Sequence, residues 1–324
     1  MICQMEMLSR QKFLKYIGIT GAALVLPKLS SSIPIPPSDK NAPSARPLRV
    51  AHLTDIHAQS GKEPEQGFAS ALQTVNSLSE APDFILNGGD SIMNSALNLS
   101  KEEVKREWSV FHRILKDHNN LPVMHCVGNH DLHGWTSPSL AHNQEKKWAL
   151  DEYKLERSYY SVEKGKWKFI ILDSIHGRYS IPGYYAKLDE GQMLWLKQEL
   201  ETTSSSQHIC IVTHIPILAV CTLFNTLNKS NEHWRIPNNT LHADAEELTS
   251  LFYQYPNIKA CLSGHIHLID HVNYLGIDYY CNGAVSGSWW KGDFHQFPPS
   301  LSMMNFHDHG KVEREIIYYN WKNV

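Results

Sequence analysis

LPVMHCVGNHD, Leu121 to Asp131, runs from a short apolar stretch straight into Asn, His and Asp. A turn there needs only the Gly128–Asn129 pair, since both residue types tolerate positive φ. His130 and Asp131 are surplus to that need. The same form recurs along the chain. LRVAHLTDIH ends in Asp55 and His57, DFILNGGD in Asp90, HICIVTHIP carries His214, and IKACLSGHIH ends in His265 and His267. Between these runs lie helical patterns: GFASALQTVNSLSE, KEEVKREWSVFHRILKDH and GQMLWLKQELETT. Strands alternating with helices predict an α/β architecture with parallel pairing, whose ligands bind outside the carboxyl ends of the strands. That is where these polar residues fall.

Further along, WKFIILDS is strand-like and ends in Asp173, while IDYYCNGAV and REIIYYNW read as strands with no helix between them. A second, more antiparallel sheet packed near the first is expected from them. With no internal repeat and no second linker, residues 48–324 read as one domain. Hydrophobic residues make up 42% and charged residues 19% of 324, an ordinary globular balance. A net charge of −3 without any Lys/Arg block disfavours a nucleic-acid partner. Nineteen histidines invite a search for metal sites.

The N-terminus reads as an address. Basic SRQKFLK (Ser9 to Lys15) precedes the short apolar run YIGITGAALVL (Tyr16 to Leu26). That run is shorter than the roughly 20 residues a bilayer span needs, so a signal peptide fits better than an anchor. It resembles a twin-arginine export signal in which Gln11 takes the place of the second arginine. Residues 27–47, rich in Pro and Ser, then form a linker. Residues 1–47 are thus expected to export the chain to the periplasm or beyond, leaving no transmembrane span in the mature protein. An N-terminal amphipathic helix packed on the domain is the competing reading. Of six cysteines, Cys3 lies in the leader, and the odd remainder sits largely in apolar runs, which argues against a disulfide framework.

Asp55, His57, Asp90, Asn129, His214, His265 and His267 are carboxylate, amide and imidazole donors suited to Mn, Fe or Zn. Seven are too many for one catalytic ion, which must keep positions open, but suffice for two if one carboxylate bridges. Two ions about 3.5–4 Å apart activate water and brace a displacement at phosphorus. Asp55-x-His57 and His265-x-His267 have the spacing that puts both members on one side of an extended segment.

The ordered set D-x-H, G-D, G-N-H-D, H, G-H-x-H resembles the calcineurin-like metallophosphoesterase family, from Leu48 to about His267. The resemblance implies a two-sheet α/β sandwich flanked by helices, with a dimetal centre between the sheets. It implies that Asp55, His57, Asp90 and His267 hold one metal and Asp90, Asn129, His214 and His265 the other, with Asp90 shared. His130, left free of metal, then protonates the leaving oxygen or steadies phosphate charge. Asp131 either supports a protonated His130 or caps the loop. Many relatives carry an Asp or Asn three residues after the bridging Asp to orient this histidine. Met93 stands there, so Asn94 or another residue must do the orienting. The arginine that follows G-N-H-D in the family's protein phosphatases is also missing, which points to the phosphodiesterase branch.

His52 reads as a satisfied strand residue, while His125, His133 and His271 neighbour the motifs closely enough to support ligands. Trp289 and Trp290 either wall a substrate pocket or cap the core. The expected activity is hydrolysis of a small phosphate ester, most readily a phosphodiester. A phosphomonoesterase or pyrophosphatase on the same metals, and a scaffold without catalysis, are the alternatives.

Overall fold

The computed structural model describes residues 46–95, 100–133, 142–177, 183–224, 233, 235–319 and 321. The export signal and almost all of the linker expected over residues 1–47 lie outside them. From its N-terminal side the described chain runs β1 (Leu48–Leu53), α1 (Lys62–Asn76), β2 (Phe84–Asn87), α2 (Lys101–His118), β3 (Val123–His125) and α3 (His142–Tyr153). Then come β4 (Tyr160–Lys164), β5 (Trp167–Ile171), β6 (Ile175–Gly177), β7 (Tyr184–Ala186), α4 (Glu190–Thr202) and β8 (His208–Val212). The C-terminal stretch holds α5 (Ala245–Phe252), β9 (Ile258–Ser263), β10 (Asp270–Tyr274), β11 (Ile277–Cys281), β12 (Ser300–Phe306) and β13 (Val312–Tyr318).

Two main sheets form, in the orders β13-β12-β1-β2-β3 and β10-β11-β9-β8-β5-β4, and β6 and β7 pair apart from them as a two-stranded antiparallel ribbon. Val50, Phe84 and Leu86 of the first face Trp167, Phe169, Val212 and Leu262 of the second, with Phe84 edge-on to Phe169 at 5.5 Å. Their neighbours Ala51, Leu53 and Ile85 turn outward beneath α1 and α2. Ile170, Ile209 and Ile211 turn outward beneath α4 and α5. Strands covered on both faces have no polar face to show, which is why they read as continuous apolar runs. Helix α2 presents Val104, Trp108, Phe111 and Ile114 to this core and starts at a Ser100–Glu103 capping box. Such a cap contributes about 1 kcal/mol.

The second sheet differs from expectation. Its centre is parallel throughout, β5 with β8, β8 with β9 and β9 with β11, and only the edge strands β4 and β10 are antiparallel. The turn Leu275–Gly276 explains it. Both residues have positive φ, the handedness that suits a two-residue hairpin, so the chain folds straight back from β10 and lays β11 parallel to β9. The C-terminal strands that look antiparallel join the first sheet instead, β12 beside β1 and β13 beyond it.

Candidate metal centre

Strands β1, β2 and β3 of one sheet and β8 and β9 of the other all deliver polar loops from their C-terminal ends. The loops from β1 and β2 are zipped together: Asp55 N–H donates to Gly89 O at 3.0 Å and His57 N–H to Asp90 O at 2.9 Å. The turn from β9 closes onto β1 so tightly that a Cβ on Gly264 would lie 2.0 Å from Thr54 Oγ1. Only glycine fits there.

Asp55, His57, Asp90, His265 and His267 all have φ between 49° and 69°. The extended segments expected for D-x-H and H-x-H are therefore absent. Each polar residue is left-handed and the residue between, Ile56 or Ile266, is buried, so the pair shares a side through alternating backbone regions. Left-handed backbone costs a non-glycine residue roughly 1–2 kcal/mol, and such residues cluster at functional sites.

Asp55 Oδ2 accepts from Thr54 Oγ1 at 2.7 Å and from His265 N–H at 2.9 Å. Its Oδ1 lies 3.3 Å from His267 Nε2 and 4.0 Å from both His57 Nε2 and His214 Nε2. Asp90 Oδ1 accepts the His130 N–H at 2.7 Å, while Oδ2 lies 3.3 Å from His214 Nε2 and 3.8 Å from His57 Nε2. Main-chain carbonyls aim three of the rings. His214 Nδ1 donates to Gly88 O, His265 Nε2 to Asn239 O and His267 Nδ1 to Gly287 O, at 2.9, 2.9 and 2.5 Å. Such bonds set the tautomer and leave the opposite nitrogen for a cation. Two separate groups result, Asp55–His57–His267 and Asp90–His214–His265, and a third, His57–Asp90–His130, overlaps both, the ligand atoms of each lying within 4.8 Å of one another. Asn129 is buried and lines the cleft beside Asp90. The donors fit divalent cations: Asp55 Oδ1 and His214 Nε2 are buried without a hydrogen bond of their own.

Residues 48–268 match the family model of the calcineurin-like phosphoesterases. The chain belongs to that family. It is similar to a 3′,5′-cyclic-nucleotide phosphodiesterase of Nostoc sp., 25% identical over 250 residues that cover 72% of this chain and 79% of the relative. It is also similar to a 3′,5′-cyclic adenosine monophosphate phosphodiesterase of Haemophilus influenzae, at 23% identity over 83% of this chain and 89% of the relative. In fold it resembles a dimetal phosphatase from Danio rerio, with a TM-score of 0.58 at 14% identity over 85% of this chain and 100% of that one. This calcineurin-like phosphoesterase is a hydrolase of phosphoric esters that uses divalent metal.

The electrostatics of the phosphoesterase cluster call for positive charge. Burial acts to raise both carboxyls, yet the imidazoles override it: His267 foremost holds Asp55 below the usual range, and His214 foremost does so for Asp90. Burial acts to lower His214, but Asp90 and Asp55 push its pKa up to about 10. His265 moves the other way, to about 4, through burial and then the His214 charge.

His130 has an orienter that no side chain supplies. Its Nδ1 donates to the Met93 carbonyl, leaving Nε2 for the cleft, and its ring stands edge-on to His57 at 4.6 Å. Asn94 contributes from a step further back, through its N–H to Glu107 Oε2 at 2.9 Å. Asp131 proves to be a loop cap. Its carboxylate accepts the N–H groups of Asp90, Ser91 and Gly128 at 3.1, 2.8 and 2.8 Å.

His52 is buried with Nδ1 on the Asn282 amide at 2.7 Å, but its Nε2 is buried without a hydrogen-bond partner, so the strand histidine is only half satisfied. His125 supports the Asp90 loop through Asn87, whose amide also reaches Ser91 at 2.6 Å. His133 packs on Trp148 and His271 pairs with Asp278, so neither supports a ligand directly. The paired tryptophans divide the two readings. Trp290 is buried with Nε1 donating to His57 O, while Trp289 is half-buried and lines the cleft. Tyr184, Asn239 and Thr240 also line it and were missed, since they lie in segments without motif or strand-end signature.

No helix among the described residues is long and apolar enough to cross a membrane.

Proposed function

We propose that this phosphoesterase hydrolyses small phosphodiesters at a dinuclear centre. In this reading Asp55, His57, Asp90 and His267 hold one ion and Asp90, Asn129, His214 and His265 the other. The single observation that carries it is the place of Asp90 Oδ2, between His214 and His57 and so between the two ligand groups. Carboxylate oxygens with imidazole nitrogens suit Mn, Fe or Zn. Bound there, such ions supply Lewis-acid activation of water and of the phosphoryl group. The chain supplies the rest. His130, fixed by the Met93 carbonyl, turns Nε2 toward the cleft, where it protonates the leaving oxygen or steadies its charge. Asn129 adds a neutral donor, which limits the negative charge set against an anionic substrate.

The diester preference draws on the cleft wall. Its described residues are mostly neutral amides, hydroxyls, imidazoles and apolar side chains. That lining suits a monoanionic diester better than a dianionic monoester. The names of the two bacterial relatives make cyclic nucleotides the first diesters to try. The test is turnover of bis-p-nitrophenyl phosphate against p-nitrophenyl phosphate by protein loaded with Mn, Fe or Zn, with metal stoichiometry measured alongside. Two metals per chain and faster diester turnover are expected. A monoester preference would replace this reading with the phosphomonoesterase one.

Export belongs to the same proposal and rests on Ser9 to Leu26 alone. Fractionation of cells expressing the full chain, against a form lacking residues 1–47, tests it. Equal cytosolic retention of both forms would overturn export.

A further inference from the structure

The cleft over the metal cluster, about 560 Å³ in volume, has two unlike ends. At the His57–His267 end stand Trp289 and Phe294. The Trp289 ring lies 4.5 Å from His267 and 6.1 Å from His57, and Phe294 lies 5.6 Å from His267. At the His265 end are Tyr184, 6.1 Å from the His265 ring, and Asn239, whose carbonyl holds His265. His130 sits near the aromatic end, against His57.

Trp289 is held there at a cost. Its φ is 49°, and the next residue, Trp290, has φ 65°. A bulky residue in that region is an outlier that the surroundings must enforce. The clamps are visible. Trp290 is sunk into the core with its Nε1 on His57 O, and a Cβ on Gly67 would lie 2.2 Å from its ring. Ser288 N–H closes the loop on Gly292 O at 2.9 Å, and Gly287 O takes His267 Nδ1. Trp290 thus does the core filling, which leaves Trp289 half-buried, packed on His267 and Phe294 and open to the cleft.

The Trp289 and Phe294 rings meet at 82° with centroids 5.4 Å apart. A right-angled aromatic corner takes a flat ring, one face stacked and one edge met, whereas an alkyl chain gains little from the angle. We infer that Trp289 and Phe294 form a stacking subsite for a nucleobase, making nucleoside phosphodiesters the substrate class. This rests on the phosphodiesterase reading above. Stacking of the base is present in the ground state as well as the transition state, so it acts on KM more than on kcat.

The test compares a 3′,5′-cyclic nucleotide with glycerophosphocholine on the metal-loaded full chain, for wild type, Trp289→Phe, Trp289→Ala and Phe294→Ala. Base stacking on an aromatic ring corresponds to roughly 5- to 100-fold in binding. The preference for the nucleotide, as a ratio of kcat/KM, should fall about 10-fold or more in Trp289→Ala, mainly through KM, and be largely kept in Trp289→Phe. Equal losses on both substrates would overturn the subsite. A wild type without nucleotide preference would do the same while leaving the phosphodiesterase reading intact.

A binding measurement separates the subsite from the activity. Calorimetry should show 5′-AMP binding wild type more tightly than ribose 5-phosphate does, with the gap closed in Trp289→Ala. That result would stand even if diesters proved not to be turned over, and no gap in wild type would refute the subsite. If Trp289→Ala loses metal, Phe294→Ala and Trp289→Phe carry the same comparison.

Discussion

Asp90 Oδ2 stands 3.3 Å from His214 and 3.8 Å from His57, whereas Asn129, which lines the cleft, is proposed to serve one ion only and brings no charge. Replacing the two by alanine should therefore not be equivalent. Asp90→Ala is expected to lose both metals and all measurable turnover, and Asn129→Ala to keep at least one metal with residual activity. Equal metal content and rate in the two variants would contradict a shared Asp90. His130 tests a different point. Its side chain is held by the Met93 carbonyl, yet it also lies within 4.8 Å of His57 and Asp90 donor atoms. His130→Ala should keep both metals and lose on the order of 10²–10⁴ in rate on alkyl diesters, less on activated aryl diesters. Metal loss would make it a ligand. Equal losses on both ester types would favour charge stabilisation over proton donation.

Helix α2 reaches the site through one carboxyl. Glu107 is buried on its inner face and accepts the Asn94 N–H, which steadies the loop whose Met93 carbonyl holds His130. Burial pushes its pKa up to about 7, from an unfolded value near 4.5. An acid raised on folding binds more protons in the native state between those values, so stability falls as pH rises from about 4.5 through 7. Glu107→Gln resembles the protonated form. Relative to wild type it should gain on the order of 1–2 kcal/mol between pH 5 and pH 8, read from urea unfolding at both pH values. A difference that stays flat with pH would mean that the Asn94 N–H keeps Glu107 ionised in the fold.

At the scale of the whole molecule, the candidate ligands come from both sheets: four follow β1, β2 and β3, and three follow β8 and β9. Cations held there tie the sheets together at the end where their loops meet. A ligand that binds only the native state at 100 times its Kd stabilises by about 2.7 kcal/mol. Chelation of the loaded protein should then lower Tm by on the order of 5–10 °C per site, checked by scanning calorimetry with and without EDTA. An unchanged Tm would place the metals outside the fold's stability.

The sequence by itself determined the strands that end in chemistry. Asp55, His57, Asp90, Asn129, His130, His214, His265 and His267 stand where apolar runs stop, and burial on both faces made those runs easy to see. Their order was enough to resemble the family, because residue type and strand-end position are local properties. Tertiary structure decided what depends on partners far along the chain. The orienter of His130 is a backbone carbonyl, which any residue at position 93 could offer, so Met93 carries no signature of the role. Asp131 became a loop cap only because the N–H groups of Asp90 and Ser91 arrive from another loop. Two adjacent tryptophans with the same side chain took opposite roles, since consecutive left-handed residues send one ring into the core and the other into the cleft. The Leu275–Gly276 turn is local, but that it lays β11 beside β9, and that β12 pairs with β1 from the far end of the chain, are properties of the assembled fold.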